Sequence, residues 1–258
     1  AIGLVIEDLA FGLGIFREES ATGAPREFVA LKATAGRAAL FGVPEITADF
    51  NGIAVDVNIG LGGAAGTALD FTPAPVEIAT GATSGTTSFS LDFDREIIRA
   101  SVQLATIAIS DFVFLQGSFA FERTVGNPID DGGAGFTVEA LQIGGANIDA
   151  FVGMGPFFQD SDADGDIDGD DTTNADAIGL VIEDLAFGLG IFREEGATGA
   201  PREFIALKAE AGRAALFGVP EITADFNGIA VEVNIGLGGA AGTALDFTPA
   251  PVEIATGA

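Results

Sequence analysis

Hydrophobic and polar residues alternate one by one along much of the chain. In SFSLDFD, from Ser88, phenylalanine or leucine fills every second position, with serine or aspartate between them. DLAFGLGI from Asp8 and GIAVDVN from Gly52 follow the same rule, with glycine, alanine or a polar residue on the second face. A period of two is typical of antiparallel β-strands that bury one face. REIIRA, from Arg95, fits a short helix or the start of a strand equally well.

Turn signals rich in glycine and proline separate these segments. They include NG at Asn51, TPAP at Thr72, GNP at Gly126 and DDGGAG at Asp130. Such residues supply the backbone angles that tight turns need, or cannot continue a strand. The pattern predicts an all-β fold with little helix, built as antiparallel β-sandwich or β-barrel domains.

Residues 1–82 recur at residues 177–258, so the sequence repeats with a period of 176. The two copies differ only at four positions, which are Ser20/Gly196, Val29/Ile205, Thr34/Glu210 and Asp56/Glu232. Solenoid rungs are usually ~20–50 residues long, whereas domains are commonly ~100–150 residues or more. The sequence therefore predicts a tandem array of domains, with 1–176 one complete unit and 177–258 the first half of the next. In the alternative phase, 1–82 ends a preceding unit and 83–258 is the complete one.

Composition narrows the function classes. The chain of 258 residues has a formal net charge of −27 and contains no cysteine, histidine, tryptophan or tyrosine. It therefore has no imidazole base, no thiolate nucleophile and no ordinary zinc site. The negative charge disfavours nucleic acid, which such a protein would repel, and favours divalent cations. No stretch is apolar and long enough for a transmembrane helix, so no membrane insertion is expected.

Carboxylates are the remaining candidates for catalysis, and their placement does not favour it. Glu7 and Asp8 are adjacent, so in a strand their side chains face opposite sides of the sheet. Asp92 and Asp94 share a face, but Arg95 follows them directly, as expected for a solvated strand end. The sequence predicts that the protein is not an enzyme.

The most acidic stretch, DSDADGDIDGDD, runs from Asp160 to Asp171, and seven of its twelve residues are aspartate. It fits the register of an EF-hand calcium loop, with Gly165 at the turn and the apolar Ile167 at the eighth position. Calcium takes ~6–8 oxygen ligands, and a glycine lets the chain wrap around the ion. The predicted Ca²⁺ ligands are Asp160, Asp162, Asp164, Asp166, Asp168 and Asp171. The alternative is a solvated acidic linker.

The acidic loop resembles the dockerin-type calcium loop, D-x-D-x-D-G-x-I-D-x-x-D, which closes with aspartate. FVGMGPFF before it and TTNADAIG after it do not have the pattern of flanking helices, so a lone loop on a β scaffold is expected. The loop lies just before Ala177, where the repeated sequence resumes. The ion would lie at the joint between two units in the first phase and inside a unit in the second.

The chain as a whole resembles the tandem repeats of giant bacterial cell-surface or secreted proteins of adhesin-like type. Four stretches carry the resemblance: IEDLAFGLGIF from Ile6, FVALKATAG from Phe28, SLDFDREIIRASVQLATIAISDFVFLQGSFAFER from Ser90, and the acidic loop. The resemblance implies repetitive extracellular β-domains, rigidity that depends on calcium, and a structural or adhesive role.

These observations predict a structural unit of an extracellular repetitive fibre, filament or giant adhesin, stiffened by calcium and located outside or on the surface of a bacterial cell. Its expected partners are neighbouring copies of the same repeat, in one chain or between chains. The alternative is a multivalent module that binds a ligand such as a surface polysaccharide. The absence of tryptophan and tyrosine weakens that alternative, because these side chains combine an apolar ring with a polar group.

Overall fold

The computed structural model describes residues 2–19, 25–80, 88–110, 112–129, 135–159, 161, 172–248 and 251–257. Within these ranges the chain forms β-strands and no helix, which confirms the all-β prediction. None of the described segments is therefore a helix that could cross a membrane. The strands are β1 (Gly3–Glu7), β2 (Ala10–Arg17), β3 (Arg26–Phe41), β4 (Ile46–Gly62), β5 (Val76–Ala79), β6 (Ser88–Leu91), β7 (Ile97–Ile109), β8 (Val113–Ile129), β9 (Phe136–Met154), β10 (Phe158–Gln159), β11 (Thr172–Thr173), β12 (Ile178–Glu194), β13 (Arg202–Phe217) and β14 (Ala224–Gly238).

One large antiparallel sheet contains ten of these strands. Its order is β1-β3-β4-β7-β8-β9-β12-β13-β14, and β2 continues the line of β1 by pairing with the other half of β3. β1 and β2 therefore form one edge of the sheet and β14 forms the other. The segment after Arg95, for which helix and strand were both open, is strand from Ile97 onward and lies between β4 and β8.

The sheet continues without a break from the first copy of the repeat into the second. β9 pairs with β12 from Met154–Ile178 to Val138–Glu194, across the junction at residues 176 and 177. From the β1/β2 edge to its sequence equivalent β12 there are six strand positions. Neighbouring strands lie ~4.8 Å apart, so one repeat advances the sheet by ~29 Å.

A second layer covers part of the sheet. In the described residues it consists of the crossover segments between strands and two short ribbons, β5–β6 and β10–β11, while β1 and β14 do not pair with each other. Within the described residues the fold therefore has two layers, one open sheet and the crossover segments packed on it. A β-sandwich would have two large facing sheets, and a β-barrel would be closed. Most of the buried apolar residues form three clusters: Ala30, Phe71, Leu91, Phe93 and Ile97; Ile129, Val138, Ala140, Phe192, Phe204, Ala240 and Leu245; and Phe151, Phe157, Ala177, Val181 and Ala215.

A row of unusual backbone conformations crosses the middle of the sheet. The register places Asp8 beside Gly36, Gly52 and the neighbouring strands, and the same row continues through the second copy. Residues with positive φ in this row include Asp8 (52°), Gly52 (63°), Asn147 (50°), Asp184 (53°) and Gly228 (64°). In β3 the buried positions change from even numbers, Phe28 and Ala30, to odd numbers, Ala35 and Ala39, across the row. The strands are therefore long but not uniform in which face they bury.

Candidate functional site

The predicted calcium ligands Asp160, Asp162, Asp164, Asp166, Asp168 and Asp171 lie outside the described residues. The residues on either side of the acidic loop are described. Phe158 pairs with Thr173 and Gln159 with Thr172 in an antiparallel ribbon, so the two ends of the loop lie on neighbouring strands. Among the residues that the structure describes, no three carboxylates lie together as a metal-binding group.

Aromatic packing fixes this ribbon to the sheet. The ring of Phe157 is almost fully buried and stacks on Phe151 of β9, with 5.2 Å between centroids and 16° between planes. It also meets Phe217 of β13 edge-on at 5.0 Å. On the other side of the loop, the backbone N–H of Asn174 donates to the carbonyl of Phe157 at 2.8 Å. We call residues 157–159 with 172–174 the loop clasp.

The loop clasp suits a cation loop because it holds the two ends of the loop on paired strands. Closing a flexible loop costs conformational entropy, and a ribbon that already holds its ends removes part of that cost from the binding step. The flanking structure is strand, as expected for a lone loop on a β scaffold, and differs from the helices of an EF-hand.

A second candidate site is an apolar cleft on the face of β12, β13 and β14. Its volume is about 450 Å³, and it opens between the sheet and the segment 251–254. The residues that line it include Gly188, Phe192, Ala206, Lys208, Glu232, Asn234, Phe247, Val252 and Ile254. We call it the second-copy cleft.

The same residues of the first copy surround a filled core. Leu91 and Phe93, from the segment 88–95, pack there against Ala30 and Phe71, and Leu91 has no exposed surface. Gly12 makes the close approach feasible, because a β-carbon there would lie 2.9 Å from that of Phe89. In the second copy the atoms nearest the equivalent Gly188 belong to Ile254.

Polar groups around the two regions differ in the same way. Asn58 is completely buried, and its side-chain amide donates to the carbonyls of Leu69 (2.8 Å) and Arg95 (2.9 Å). Its equivalent Asn234 is exposed and is hydrogen-bonded to the backbone of Leu245, through a donated bond of 2.8 Å and an accepted one of 3.1 Å. One sequence thus occupies two environments, covered and open.

Charged side chains of the first copy form a row across three strands. Lys32 binds Asp92 at 2.5 Å, and Asp56 of β4 lies opposite both Lys32 of β3 and Arg99 of β7. Burial raises the pKa of Asp56, while the two cations oppose that rise. In the second copy, Lys208 binds Glu210 at 3.1 Å, and this contact raises the pKa of the lysine.

The two edges of the sheet expose apolar side chains whose equivalents are covered. On β14, Phe226 is 61% exposed, whereas its equivalent Phe50 is half-buried under β7. On β2, Phe11 is 56% exposed, whereas its equivalent Phe187 is half-buried beside β9. Each edge therefore leaves open a surface that the other copy uses for strand pairing.

Three of the four carboxylates considered for catalysis, Glu7, Asp92 and Asp94, lie in surface ion pairs. Glu7 contacts Arg37 at 3.6 Å, and Asp94 contacts Arg95 at 3.3 Å. Asp92 contacts Lys32, whose ammonium group lowers the pKa of that carboxyl. Exposed pairs of this kind are common at strand ends and contribute little to stability.

Sequence reasoning did not find the second-copy cleft. The signal that could have found it is the repeat itself, since the lining residues occur twice and their packing in one copy can be compared with that in the other. Comparison with protein-family models, with curated proteins and with solved structures finds no match to this chain.

Proposed function

We propose that this chain is a structural unit of an extracellular repetitive fibre or giant bacterial adhesin, stiffened by calcium. The observation that supports this proposal most directly is the continuous sheet. The sequence that forms the β1/β2 edge in the first copy forms the interior strand β12 in the second, paired on both sides. A repeat whose first strand completes the sheet of the preceding copy adds length to one sheet and does not close into a separate bead.

The repeat geometry gives such an array a defined axis. Each period adds six strand positions, and the ladder hydrogen bonds run along the direction of growth. The strands that lie across this axis contain as many as 19 residues, or ~60 Å at ~3.3 Å per residue. An array of such repeats would be a long ribbon held together along its length by backbone hydrogen bonds, and this geometry suits a structural role.

Calcium enters this proposal through charge and position. A net charge of −27 opposes compaction, and the acidic loop concentrates seven aspartates in twelve residues. A bound dication would neutralise part of that repulsion. The loop clasp packs on β9 and β13, which lie on opposite sides of the junction at residues 176 and 177, so an ion bound in the loop would brace that junction.

The test of the array is the length of recombinant proteins with two, three and four copies of the repeat. Small-angle scattering and electron microscopy should show that each added period lengthens the particle by ~29 Å. Separate globular domains of 176 residues would each be ~40 Å across, from the usual scaling of size with chain length. An increment near ~40 Å, with variable angles between beads, would contradict the continuous sheet.

The calcium part is tested separately by titration calorimetry of the chain with Ca²⁺. Replacing Asp162 and Asp164 with asparagine should weaken binding strongly, because calcium sites depend on ligand charge. The matched control replaces Asp130 and Asp131 with asparagine, which removes the same charge from the stretch DDGGAG, where the spacing of a calcium loop is absent. Equal effects of the two double variants would show that calcium responds only to overall charge.

A further inference from the structure

We propose that two copies of this chain pair face to face, through the side of the sheet that the crossover segments leave uncovered. The pair would be a β-sandwich whose two sheets come from different molecules. This inference deepens the proposed structural role, because it names a lateral partner for the ribbon. It rests on that role only for the growth of the pair into a fibre.

The crossover segments cover one face of the strands. On that face Ala30 of β3, Val138 of β9 and Phe204 of β13 have no exposed surface. The approach is so close that a β-carbon at Gly60 would overlap the backbone carbonyl of Ala64. Side chains on this face therefore already have a second layer.

The opposite face of the same strands is apolar. The strand registers align one row of its side chains across the sheet: Val55, Ala100, Phe121, Ile143, Leu189 and Leu207. A second row lies on one side of the first: Ile53, Val102, Phe119, Gly145, Phe187 and Ala209. A third row lies on its other side: Val57, Ile98, Arg123, Leu141, Ile191 and Ile205. We call these three rows the open face.

The side chains of the open face lack a covering layer. None of them is buried, and Phe121 and Ile191 are 37% and 39% exposed. Every strand that contributes to the rows, from β4 to β13, is paired on both of its sides, so the exposure belongs to the face and not to an edge. Large contiguous apolar surfaces of this kind mark sites of association.

The area of the open face suits a stable pair. Six strands at ~4.8 Å and three rows at ~6.7 Å make a patch of ~29 by ~20 Å, or ~580 Å² on each partner. The pair would bury ~1,200 Å² for each period of the repeat, which reaches the range of ~1,200–2,000 Å² for specific interfaces. Longer arrays would bury a multiple of this area, so pairing should tighten with the number of periods.

Charge also favours a second copy as the partner. The open face contains no acidic residue, although the chain has 38 of them. Its one charged side chain, Arg123, binds Glu139 at 2.6 Å, and Arg193 next to the third row contacts Glu203 at 3.5 Å. Two chains of net charge −27 repel each other over most of their surfaces, and the open face is where that repulsion is smallest.

The shape of the open face points to the same partner. Two copies of one sheet have the same strand spacing, and sheets of this kind pack ~10 Å apart with their strands at ~30°. A two-fold axis would bring each row against its own counterpart. A lipid surface is the other occupant of a flat apolar face, but a chain this acidic is repelled by anionic lipids.

The test is sedimentation equilibrium of the 258-residue chain over a wide range of concentrations, which should show a reversible monomer–dimer equilibrium. Ile191→Lys should raise the dimer dissociation constant at least about tenfold, because it places an unpaired charge in the interface. The matched control is Ile178→Lys, at the other end of the same strand, since Ile178 is also 39% exposed. Both variants change the net charge equally, so only burial in the interface distinguishes them.

Thiol protection locates the interface without an added charge. The chain contains no cysteine, so Ile191→Cys and Ile178→Cys each introduce a single thiol. The rate of alkylation of Ile191→Cys should fall as protein concentration rises through the dissociation constant. The rate for Ile178→Cys should stay constant.

Three results would overturn the inference. They are a monomer at all concentrations, equal effects of the two lysine variants, and equal thiol protection at the two positions. A monomer that co-sediments with phosphatidylcholine vesicles, and loses this binding on Ile191→Lys, would assign the open face to lipid. Arrays that lengthen by ~29 Å per period without pairing refute only this inference, whereas paired chains with bead-like arrays refute only the structural role.

Discussion

Asparagine occupies equivalent positions in the two copies and provides a matched pair of substitutions. Asn58 and Asn234 lie in the same local sequence, NIGLGG, on β4 and β14. Asn58 is completely buried beneath the segment 88–95, whereas Asn234 borders the open cleft. Asn58→Ala and Asn234→Ala therefore make the same chemical change in two different environments.

The magnitudes follow from the hydrogen bonds that each substitution removes. Asn58→Ala leaves the carbonyls of Leu69 and Arg95 without their donor under a covered core, and each buried unsatisfied group costs ~1–3 kcal/mol. The substitution also removes an unfavourable group, because the buried side-chain oxygen of Asn58 has no hydrogen-bond partner among the described residues, and this offsets part of the loss. We expect a net loss of ~2–3 kcal/mol in the free energy of unfolding. Asn234→Ala should lose only ~1 kcal/mol, since water can replace the side chain at an exposed position.

The assay is urea unfolding of both variants and of the unsubstituted chain. The midpoint and slope of each curve give the free energy of unfolding, and thermal scans provide a second measurement. The difference of ~1–2 kcal/mol corresponds to a Tm lower by ~2–8 °C for Asn58→Ala than for Asn234→Ala. Equal losses would refute the reasoning, because they would mean that the two environments are alike.

Three further predictions concern other parts of the fold. Phe157→Ala should destabilise the chain by ~3–5 kcal/mol and weaken Ca²⁺ binding in calorimetry; unchanged affinity would show that the loop clasp does not prepare the loop. Burial raises the pKa of Asp149, so its ionised form lowers stability at neutral pH; Asp149→Asn, which keeps an acceptor for the N–H of Asp184, should raise the Tm at pH 7. That gain should shrink as the pH falls through the folded pKa, and a gain independent of pH would contradict the assignment. Gly52→Ala should lower the free energy of unfolding in urea by more than Gly228→Ala, since both glycines have positive φ but only at Gly52 would the added β-carbon overlap a side chain of the next strand, that of Gln103 on β7. Equal losses would mean that the positive φ alone accounts for the effect.

The sequence was sufficient to predict the strands, because a period of two reports directly which side chains share a face. GIAVDVN at Gly52 lies within β4, and DLAFGLGI at Asp8 continues into β2. It was not sufficient to predict which strands pair, because alternation contains no information about the neighbouring strand. The row through Asp8, Gly52 and Asn147 was also missed, since it changes the buried face within a strand without interrupting the pattern of strand-forming residues.

For the candidate sites too, the sequence predicted local features but not contacts between distant segments. The acidic loop was predicted from spacing alone, since ligand order along the chain is what defines such a loop. Its attachment could not be predicted, because Phe157 contacts Phe151 and Phe217 only after the sheet has brought β9 and β13 near it. The second-copy cleft could not be predicted from either copy by itself, since its lining residues are an ordinary core where Leu91 covers them.

A sheet that can grow at both edges needs a means of choosing its neighbours. Unpaired edge strands are general templates for aggregation, and inward or edge charges are a common defence. Glu232 lies on the β14 edge and Asp8 on the β1/β2 edge, so both edges have carboxylates in a chain of net charge −27. A β7-like strand instead brings arginine to this position, as Arg99 does at Asp56. Charge therefore disfavours pairing between two such edges and favours the kind of pairing seen between β4 and β7, and this discrimination should weaken as salt screens the carboxylates.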